Sequence, residues 1–188
     1  MLYFLWQYIT EFMSKKDNDS LIVVDEKFFN KAIDLYWKWK DLNDELKNFY
    51  TRGVNLHEGI TEIICCYVND FQLSVGGGSE DAIDPETNEL IQVKGSSNWN
   101  EDLTSFGPES KFDCLHFVRL KASEDTMYLY NIPTEGLDDI MVNKNFSVGD
   151  FKAKGKRPRF SIIKKCIDAD DIEAYASVDL VRRKINYL

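Results

Sequence analysis

Residues 71–94, FQLSVGGGSEDAIDPETNELIQVK, decide the fold. They contain three short runs with the composition of strands, FQLSV, EDAID and LIQVK, which are separated by the glycine-rich GGGS and by PETNE. Strand-like runs bounded by such turns are typical of antiparallel hairpins. The stretch therefore predicts a three-stranded antiparallel meander.

The last run of the meander presents polar side chains on one face. Because side chains alternate along a strand, Gln92 and Lys94 project together with Leu90, whereas Ile91 and Val93 point to the opposite face. A lysine and a side-chain amide are thus expected side by side on a strand whose other face is apolar.

The middle run adds a carboxylate to this group. If PETNE forms the hairpin turn, Asp81 lies near the level of Gln92, whereas Asp84 lies close to the turn. Hydrolysis of a phosphodiester uses a hard cation held by carboxylate oxygens, and a positive group that orients water and offsets developing charge. Asp81, Gln92 and Lys94 are therefore the candidate centre for such chemistry.

A helix is predicted immediately before the meander. Residues 55–70, NLHEGITEIICCYVND, carry apolar side chains at helical spacing, and Asn55 can serve as the N-cap. Glu58 and Glu62 stand four residues apart and so lie one above the other on this helix. The helix is expected to bring two more acids to the same region.

The remaining segments extend this core. Residues 100–106, NEDLTSF, predict a short helix, and residues 113–120, DCLHFVRL, predict a strand buried on both faces. Residues 26–50 have the spacing of an amphipathic helix, and residues 1–13, MLYFLWQYITEFM, are interpreted as the buried face of another. The tail is predicted to add a strand at 127–133, a short helix at 134–142, a strand at 159–165 and a terminal helix at 168–188.

These elements predict a mixed α/β (α+β) fold in a single domain of residues 1–188. Its 188 residues, 44% of them hydrophobic, suffice for one substantial core. Within it we expect a helical N-terminal part over 1–50, a catalytic core over about 55–120 and a basic segment over about 150–165.

The basic segment stands out because the chain as a whole carries a net charge of −9. That balance excludes a protein that coats nucleic acid through bulk charge, so any contact with DNA must use a local surface. The segment DFKAKGKRPRFSIIKK is either a solvated loop or a phosphate-contacting one. Its cations are Lys152, Lys154, Lys156, Arg157, Arg159, Lys164 and Lys165, set against the single acid Asp150.

The cysteines, the histidines and the apolar N-terminal stretch bear on disulfide bonds, zinc binding and membrane insertion. The four cysteines lack a CxxC spacing and are expected to be free thiols, and two histidines offer little for a structural zinc site. The apolar stretch 1–13 is too short to span a bilayer and has the features of neither a leader nor a cleavage site. We therefore expect a cytoplasmic protein.

The helix, the meander and the following strand resemble the PD-(D/E)XK nuclease superfamily over roughly residues 55–120. On that resemblance Asp81 matches the first acid, Gln92 the position of the second acid and Lys94 the lysine. Glu62, with Glu58 as the second choice, matches the extra glutamate of many members, and Asp84 is the second choice for the first acid. The chain departs from the motif because Glu80 precedes Asp81 where proline is usual, and because Gln92 is neutral.

The resemblance implies a Mg²⁺ cofactor, for which Mn²⁺ can substitute. Its ligands would be Asp81, the backbone carbonyl of Val93 and Glu62. A neutral amide at position 92 binds a divalent cation more weakly than a carboxylate does, which makes a glutamate from the preceding helix more necessary.

A narrower resemblance rests on KGSSN, DLTSFGP, FDCLHFV and GKRPRFSI, which are similar to small type II restriction endonucleases, most closely those that cut interrupted palindromes of the GCNGC kind. It implies a homodimer that cuts double-stranded DNA, with a cognate DNA methyltransferase as genetic partner. Candidate contacts to bases or phosphates are Asn98, Asn100, Lys154, Lys156, Arg157 and Arg159.

Two alternatives remain open at this point. A structure-specific repair or junction nuclease could use the same core. A non-catalytic nucleic-acid-binding protein with a degenerate core would account for Gln92 and for the acidic balance.

Overall fold

The computed structural model describes residues 20–76 and 78–188. Its helices are α1 (Glu26–Lys47), α2 (Glu58–Asn69) and α3 (Val148–Ala153), with a 3-10 turn at Leu137–Asp139 and a π-helical turn at Ile163–Ile167. Its strands are β1 (Leu21–Val23), β2 (Gln72–Ser74), β3 (Ala82–Ile83), β4 (Leu90–Ser96), β5 (Thr104–Ser105), β6 (Cys114–Lys121), β7 (Thr126–Ile132), β8 (Arg159–Phe160), β9 (Ala176–Asp179) and β10 (Lys184–Tyr187).

A mixed eight-stranded sheet organises these elements, in the order β1-β2-β3-β4-β6-β7-β9-β10, and β5 and β8 pair separately. The predicted mixed α+β class is confirmed, as is the antiparallel meander β2-β3-β4. Strands β4 and β6 pair in parallel, from Ile91 opposite Cys114 to Ser96 opposite Arg119. Parallel neighbours need a long crossover connection, which residues 97–113 supply.

The sheet separates two apolar cores. Helices α1 and α2 pack on one face, where Val118 and Leu120 of β6 are buried. The opposite face is covered by segments between residues 137 and 167, and there Leu115 and Phe117 of β6 are buried. Because β6 buries both sets of its alternating side chains, its sequence is a nearly continuous apolar run, as predicted for a strand buried on both faces.

Helix α1 confirms the amphipathic pattern of residues 26–50. The carboxylate of Asp25 caps it by accepting from the backbone N–H of Phe28 at 2.9 Å. Phe29, Ile33 and Tyr36 are buried on its inner face. The helix interpreted at residues 1–13 lies outside the described residues, and none of the described helices is long and apolar enough to cross a membrane.

Helix α2 begins later than Asn55. The backbone around His57 is extended, and its ring nitrogen Nδ1 accepts from the N–H of Gly59 at 3.1 Å, so histidine replaces the predicted asparagine as N-cap. The helix ends at Asp70, which adopts a left-handed conformation with φ of 57°. The shift leaves Glu58 in the first turn, where a carboxylate stabilises the positive end of the helix dipole.

The predictions for three shorter elements are wrong in type or in length. Residues 100–106 form no helix, because the Asp102 carboxylate bonds to residues 161–163 and the chain pairs there as β5. The helix predicted at 134–142 is only the 3-10 turn at Leu137–Asp139. The strand predicted at 159–165 ends at Phe160, where the chain turns into the π-helical segment.

The terminal helix predicted at 168–188 is wrong. The segment forms β9 and β10, and Ala176, Ser177 and Val178 of β9 are all buried. Arg182 and Arg183, whose charge suggests the end of a helix, instead lie in the turn between these strands. Asp179 accepts from the N–H groups of Val181 and Arg182, at 3.0 and 2.8 Å, and Arg183 has a φ of 53°.

Asp102 ties the crossover segment to the basic segment. Its carboxylate accepts from the hydroxyl of Ser161 at 2.5 Å and from the N–H groups of Ile162 and Ile163 at 2.9 and 3.0 Å. It also accepts from the hydroxyl of Thr104 at 2.7 Å. Four hydrogen bonds to one carboxylate fix the end of the basic segment against the loop that follows β4.

We expect Asp102→Ala to lower the free energy of unfolding by about 2–3 kcal/mol, because it leaves several half-buried donors without an acceptor. Urea unfolding measures this. Glu101→Ala is the matched control, since its exposed ion pair with Lys164 contributes about 0.5 kcal/mol or less. Equal losses in the two variants would contradict the anchoring role of Asp102.

Candidate active site

Strand β4 sets the spacing of the candidate site. Ile91 and Val93 are 1% and 2% exposed and belong to the core beneath α2, so they fix which way the strand faces. Gln92 and Lys94 therefore lie on the other face, at the level of Leu115 and Phe117 of β6. This is the arrangement that the period of two predicts.

Asp81 stands at the point where the pairing of β3 with β4 ends. Its N–H donates to the carbonyl of Ile91 at 2.9 Å, and its Oδ2 accepts from the N–H of Val93 at 2.7 Å. The same oxygen accepts from Nε2 of Gln92 and lies 3.6 Å from Nζ of Lys94. The structure thus brings Asp81, Gln92 and Lys94 together.

The carbonyl of Val93 points toward the same edge. In a strand the N–H and the carbonyl of one residue face the same neighbour, and the N–H of Val93 faces Asp81. The ladder between β3 and β4 ends with Ala82 opposite Ile91, two residues before Val93. An edge carbonyl and the Asp81 carboxylate are therefore adjacent oxygen donors.

Asp84 forms hydrogen bonds within the hairpin turn. Its Oδ1 accepts from the N–H groups of Glu86 and Thr87, at 2.8 and 3.4 Å. This side-chain turn closes the hairpin between β3 and β4. Asp84 is thus engaged at the turn, at the opposite end of the hairpin from Lys94.

The glutamates reach the site because α2 lies close to β4. An ideal Cβ placed on Gly95 would lie 3.0 Å from Cγ2 of Thr61, so only glycine leaves the helix this near. Thr61 stands between Glu58 and Glu62 in the sequence. Burial, and then the nearby carboxylates of Asp81 and Glu58, raise the pKa of Glu62 to about 7, against the opposing influence of Lys94.

These donors fit a divalent cation. Among the described residues no three His, Cys, Asp or Glu side chains converge closely enough to hold a metal by themselves. The available set is two mutually repelling carboxylates, Asp81 and Glu62, and the edge carbonyl of Val93. All are oxygen donors, which Mg²⁺ and Mn²⁺ accept, and a cation would relieve the repulsion that the raised pKa of Glu62 reflects.

A cleft of about 580 Å³ opens above β4. Val93 and Lys94 line it, together with Glu58 from α2, Asn98 from the loop after β4 and Arg157 from the basic segment. Asp81, Gln92 and Glu62 are not among its lining residues and lie beside it. This cleft, which we call the catalytic cleft, is therefore lined by residues from four separate segments of the chain.

Comparison with known proteins identifies the family. The family model of the Bsp6I restriction endonuclease matches residues 24–169. The chain belongs to this family. The type II restriction enzyme Bsp6I of Bacillus sp. (strain RFL6) is 43% identical over 166 residues, which cover 87% of this chain and 95% of that enzyme. No solved structure matches the chain at a significant level.

Membership of the Bsp6I family confirms the restriction-endonuclease prediction and makes the chain a nuclease. The matched range contains the meander, α2 and the basic segment, whereas the incorrectly predicted β9 and β10 lie beyond it. The family does not favour the alternative of a repair or junction nuclease.

The predicted DNA contacts are distributed unevenly around the site of this Bsp6I-family enzyme. Asn98 and Arg157 line the catalytic cleft, whereas Asn100 lines an adjoining one. Lys154 lies over the ring of Phe146, 3.5 Å from its centre. Lys156 and Arg159 are exposed on the basic segment.

Sequence reasoning missed three residues that position this site: Thr61, Gly95 and Asp102. Each acts through a partner distant in the chain, so no local pattern marks it. A glycine directly after the lysine of a buried strand is the one signal that could have suggested a close helix contact at Gly95.

The raised pKa of Glu62 gives a dependence of stability on pH. The pKa in the folded protein, about 7, exceeds the ordinary 4.5, so stability falls as pH rises through this window. In metal-free buffer we expect Glu62→Gln to be more stable than the parent by about 1–2 kcal/mol near pH 8, after allowing for solvent screening, and equal to it near pH 4.

Urea unfolding at both pH values checks this expectation, with the exposed Glu86→Gln as control. A Glu62→Gln variant that gains no stability at the higher pH would show that the carboxylate of Glu62 is neither buried nor held among like charges in the folded protein.

Proposed function

We propose that this type II restriction endonuclease is a PD-(D/E)XK nuclease that hydrolyses double-stranded DNA at the centre formed by Asp81, Gln92 and Lys94. The single observation that carries the proposal is the Asp81 carboxylate, which is bound by the N–H of Val93 with Lys94 3.6 Å away. A carboxylate and an ammonium fixed on adjacent strands are what metal-assisted phosphodiester hydrolysis requires.

Asp81, the carbonyl of Val93 and Glu62 would hold Mg²⁺, or Mn²⁺ in its place. When bound, the cation polarises the scissile phosphate and lowers the pKa of a coordinated water. Glu58 is the second choice for the helix carboxylate, because it lines the catalytic cleft in the first turn of α2. Asp84 remains the second choice for the first acid, although its oxygens serve the hairpin turn.

Lys94 orients the attacking water and offsets the charge that develops on the phosphorane. Its ammonium is kept in place by Asp81 and by the buried Val93 that precedes it on β4. Gln92 brings no charge of its own. Its amide nitrogen donates to Asp81, so it orients the first acid and leaves the second carboxylate to α2.

Recognition is assigned to the two segments that border the catalytic cleft. Asn98 and Asn100 follow β4 directly and would read base edges, as amides pair with adenine. Lys154, Lys156, Arg157 and Arg159 would contact guanine or phosphates. The target is a short palindrome, with the GCNGC kind as the first to be tried, and the genetic partner is a DNA methyltransferase that protects the same site.

We expect Asp81→Ala and Lys94→Ala each to lower the single-turnover rate of DNA cleavage by about 10³-fold or more in Mg²⁺, since each removes charge stabilisation at the reacting phosphate. The readout is digestion of a long natural DNA, for which the parent gives discrete fragments whose ends are then sequenced. The remote Lys184→Ala is the control and should cut like the parent, and Asp84→Ala tests the second choice for the first acid.

Cleavage at the parental rate by Asp81→Ala or Lys94→Ala would refute the assignment of the centre. Tight binding of DNA by the parent without turnover in either metal would contradict Mg²⁺ or Mn²⁺ as the cofactor.

A homodimer completes this function, and α1 offers the surface for it. Phe28, Leu35 and Leu42 follow one another at intervals of seven residues on α1, and Phe49 continues the interval two residues past its end; all four are between 38% and 75% exposed. Residues seven apart lie on one side of a helix, which makes this an apolar stripe without a partner in the described part of the chain. Its order, Phe-Leu-Leu-Phe, is the same in both directions.

The charged residues beside the apolar stripe favour a second copy of the chain, packed antiparallel, as its partner. Three residues after the first three members of the stripe stand Lys31, Lys38 and Glu45. Parallel helices would place each beside its own copy, so like charges would meet. Antiparallel helices bring Glu45 toward Lys31 of the partner, and a two-fold axis then relates two catalytic clefts.

The double variant Leu35→Lys/Leu42→Lys should sediment as a monomer where the parent sediments as a dimer, because it places charge in the apolar contact. Val181→Lys changes a remote residue that is 62% exposed and should leave the dimer intact. On supercoiled plasmid the monomer should accumulate nicked circles. An unchanged mass would overturn the interface, and a loss of stability alone would indicate cover by residues 1–19.

A further inference from the structure

A second cleft adjoins the catalytic cleft and has no role in the chemistry described so far. It encloses about 1050 Å³ between the C-terminal half of α1, the loop 51–55 and the loop 97–100. Asn55, Ser97 and Asn98 line both clefts. The second cleft, which we call the flanking groove, is therefore continuous with the surface around Lys94.

The loop 51–55 is fixed to α1 rather than loosely attached. Asn43, which is 6% exposed, accepts through Oδ1 from the N–H of Val54 at 3.0 Å, and Trp39 donates to the carbonyl of Val54 at 2.8 Å. An ideal Cβ on Gly53 would lie 1.9 Å from Oδ1 of Asn43, so the backbone approaches α1 as closely as glycine allows. Arg52 is thus carried on a rigid support.

The opposite wall is equally well supported. The guanidinium of Arg119 lies 4.0 Å from the ring centre of Trp99, and its Nε donates to the carbonyl of Trp99 at 2.6 Å. Arg119 itself is only 7% exposed. The loop 97–100 is therefore held firmly, and it presents the exposed Asn98 and Asn100 between the two clefts.

The groove is lined by four cations and by one acid, Asp44. Lys40 and Lys121 are paired with Asp125 and Glu124. Lys47 and Arg52 also line it, and within the described part of the chain neither has an ion pair or a hydrogen bond from its side chain. In a protein with a net charge of −9, two unpaired cations on one rigid concave wall mark a local site for anions.

We propose that the flanking groove binds the DNA backbone beyond the cleaved site, with Lys47 and Arg52 contacting successive phosphates. The inference rests on the proposed function, because it assumes that duplex DNA occupies the catalytic cleft. The groove leads away from Lys94 past the Asn98 loop, so a duplex read by that loop passes Lys47 and Arg52. Phosphate contacts of this kind set register and affinity without reading sequence.

The test compares Lys47→Ala/Arg52→Ala with Lys111→Ala/Lys184→Ala, which removes two exposed cations elsewhere, both in a Lys94→Ala background that keeps the DNA uncut. Fluorescence anisotropy with a random-sequence duplex gives the dissociation constant at several salt concentrations. We expect the groove variant to bind less tightly and its plot of log K against log salt to be shallower by about two, one for each lost phosphate contact. The control pair should match the parent.

Single-turnover cleavage separates this proposal from the function it rests on. With Lys94 intact and DNA saturated by enzyme, Lys47→Ala/Arg52→Ala should cut at the parental rate, because the chemistry is untouched. Unchanged affinity and salt slope in a folded groove variant, with the parent still cutting DNA, would overturn the groove alone. Failure of the parent to bind or cut DNA would overturn the proposed function and the groove with it.

Discussion

The hydrogen bond from the N–H of Val93 to the carboxylate of Asp81 is the contact on which the rest of the site depends. Strand β4 continues past the end of its ladder with β3, and a backbone donor at that point needs an acceptor. Asp81 supplies a charged oxygen where a neighbouring strand would supply a carbonyl. The same oxygen then organises Gln92 and Lys94, so the acid that completes the sheet edge also defines the candidate centre.

The meander and its charged residues follow from the sequence because the information is local. Alternation in LIQVK decides which side chains face Asp81, and the PETNE turn decides the register. The buried β6 and the amphipathic α1 are equally local, since each carries its pattern within one element. Asp81 could be chosen over Asp84 for the same reason, because its distance from the turn places it level with Gln92.

The features that the sequence does not predict either depend on long-range contacts or have a residue pattern that fits both a helix and a strand. Residues 168–188 begin with acids and end with bases, as helices often do, but the burial of Ala176 and Val178 against β7 and the turn built by Asp179 make them strands. The crossover after β4 lacks a helix because Asp102 finds its donors sixty residues further on, near Ile162. Such contacts exist only once the chain has folded.

The anchoring of Asp102 also bears on how such an enzyme changes its target. The exposed residues at 98 and 100 and along 154–159 belong to two segments that are joined by the hydrogen bonds of Thr104 and Ser161 to Asp102. We call these joined segments the frame. Substitutions on the outer side of that frame alter the surface offered to a duplex while the backbone keeps its course. If the proposed recognition residues read the target, a library that randomises those positions and retains Asp102 would sample new specificities without disturbing the strand that carries Lys94.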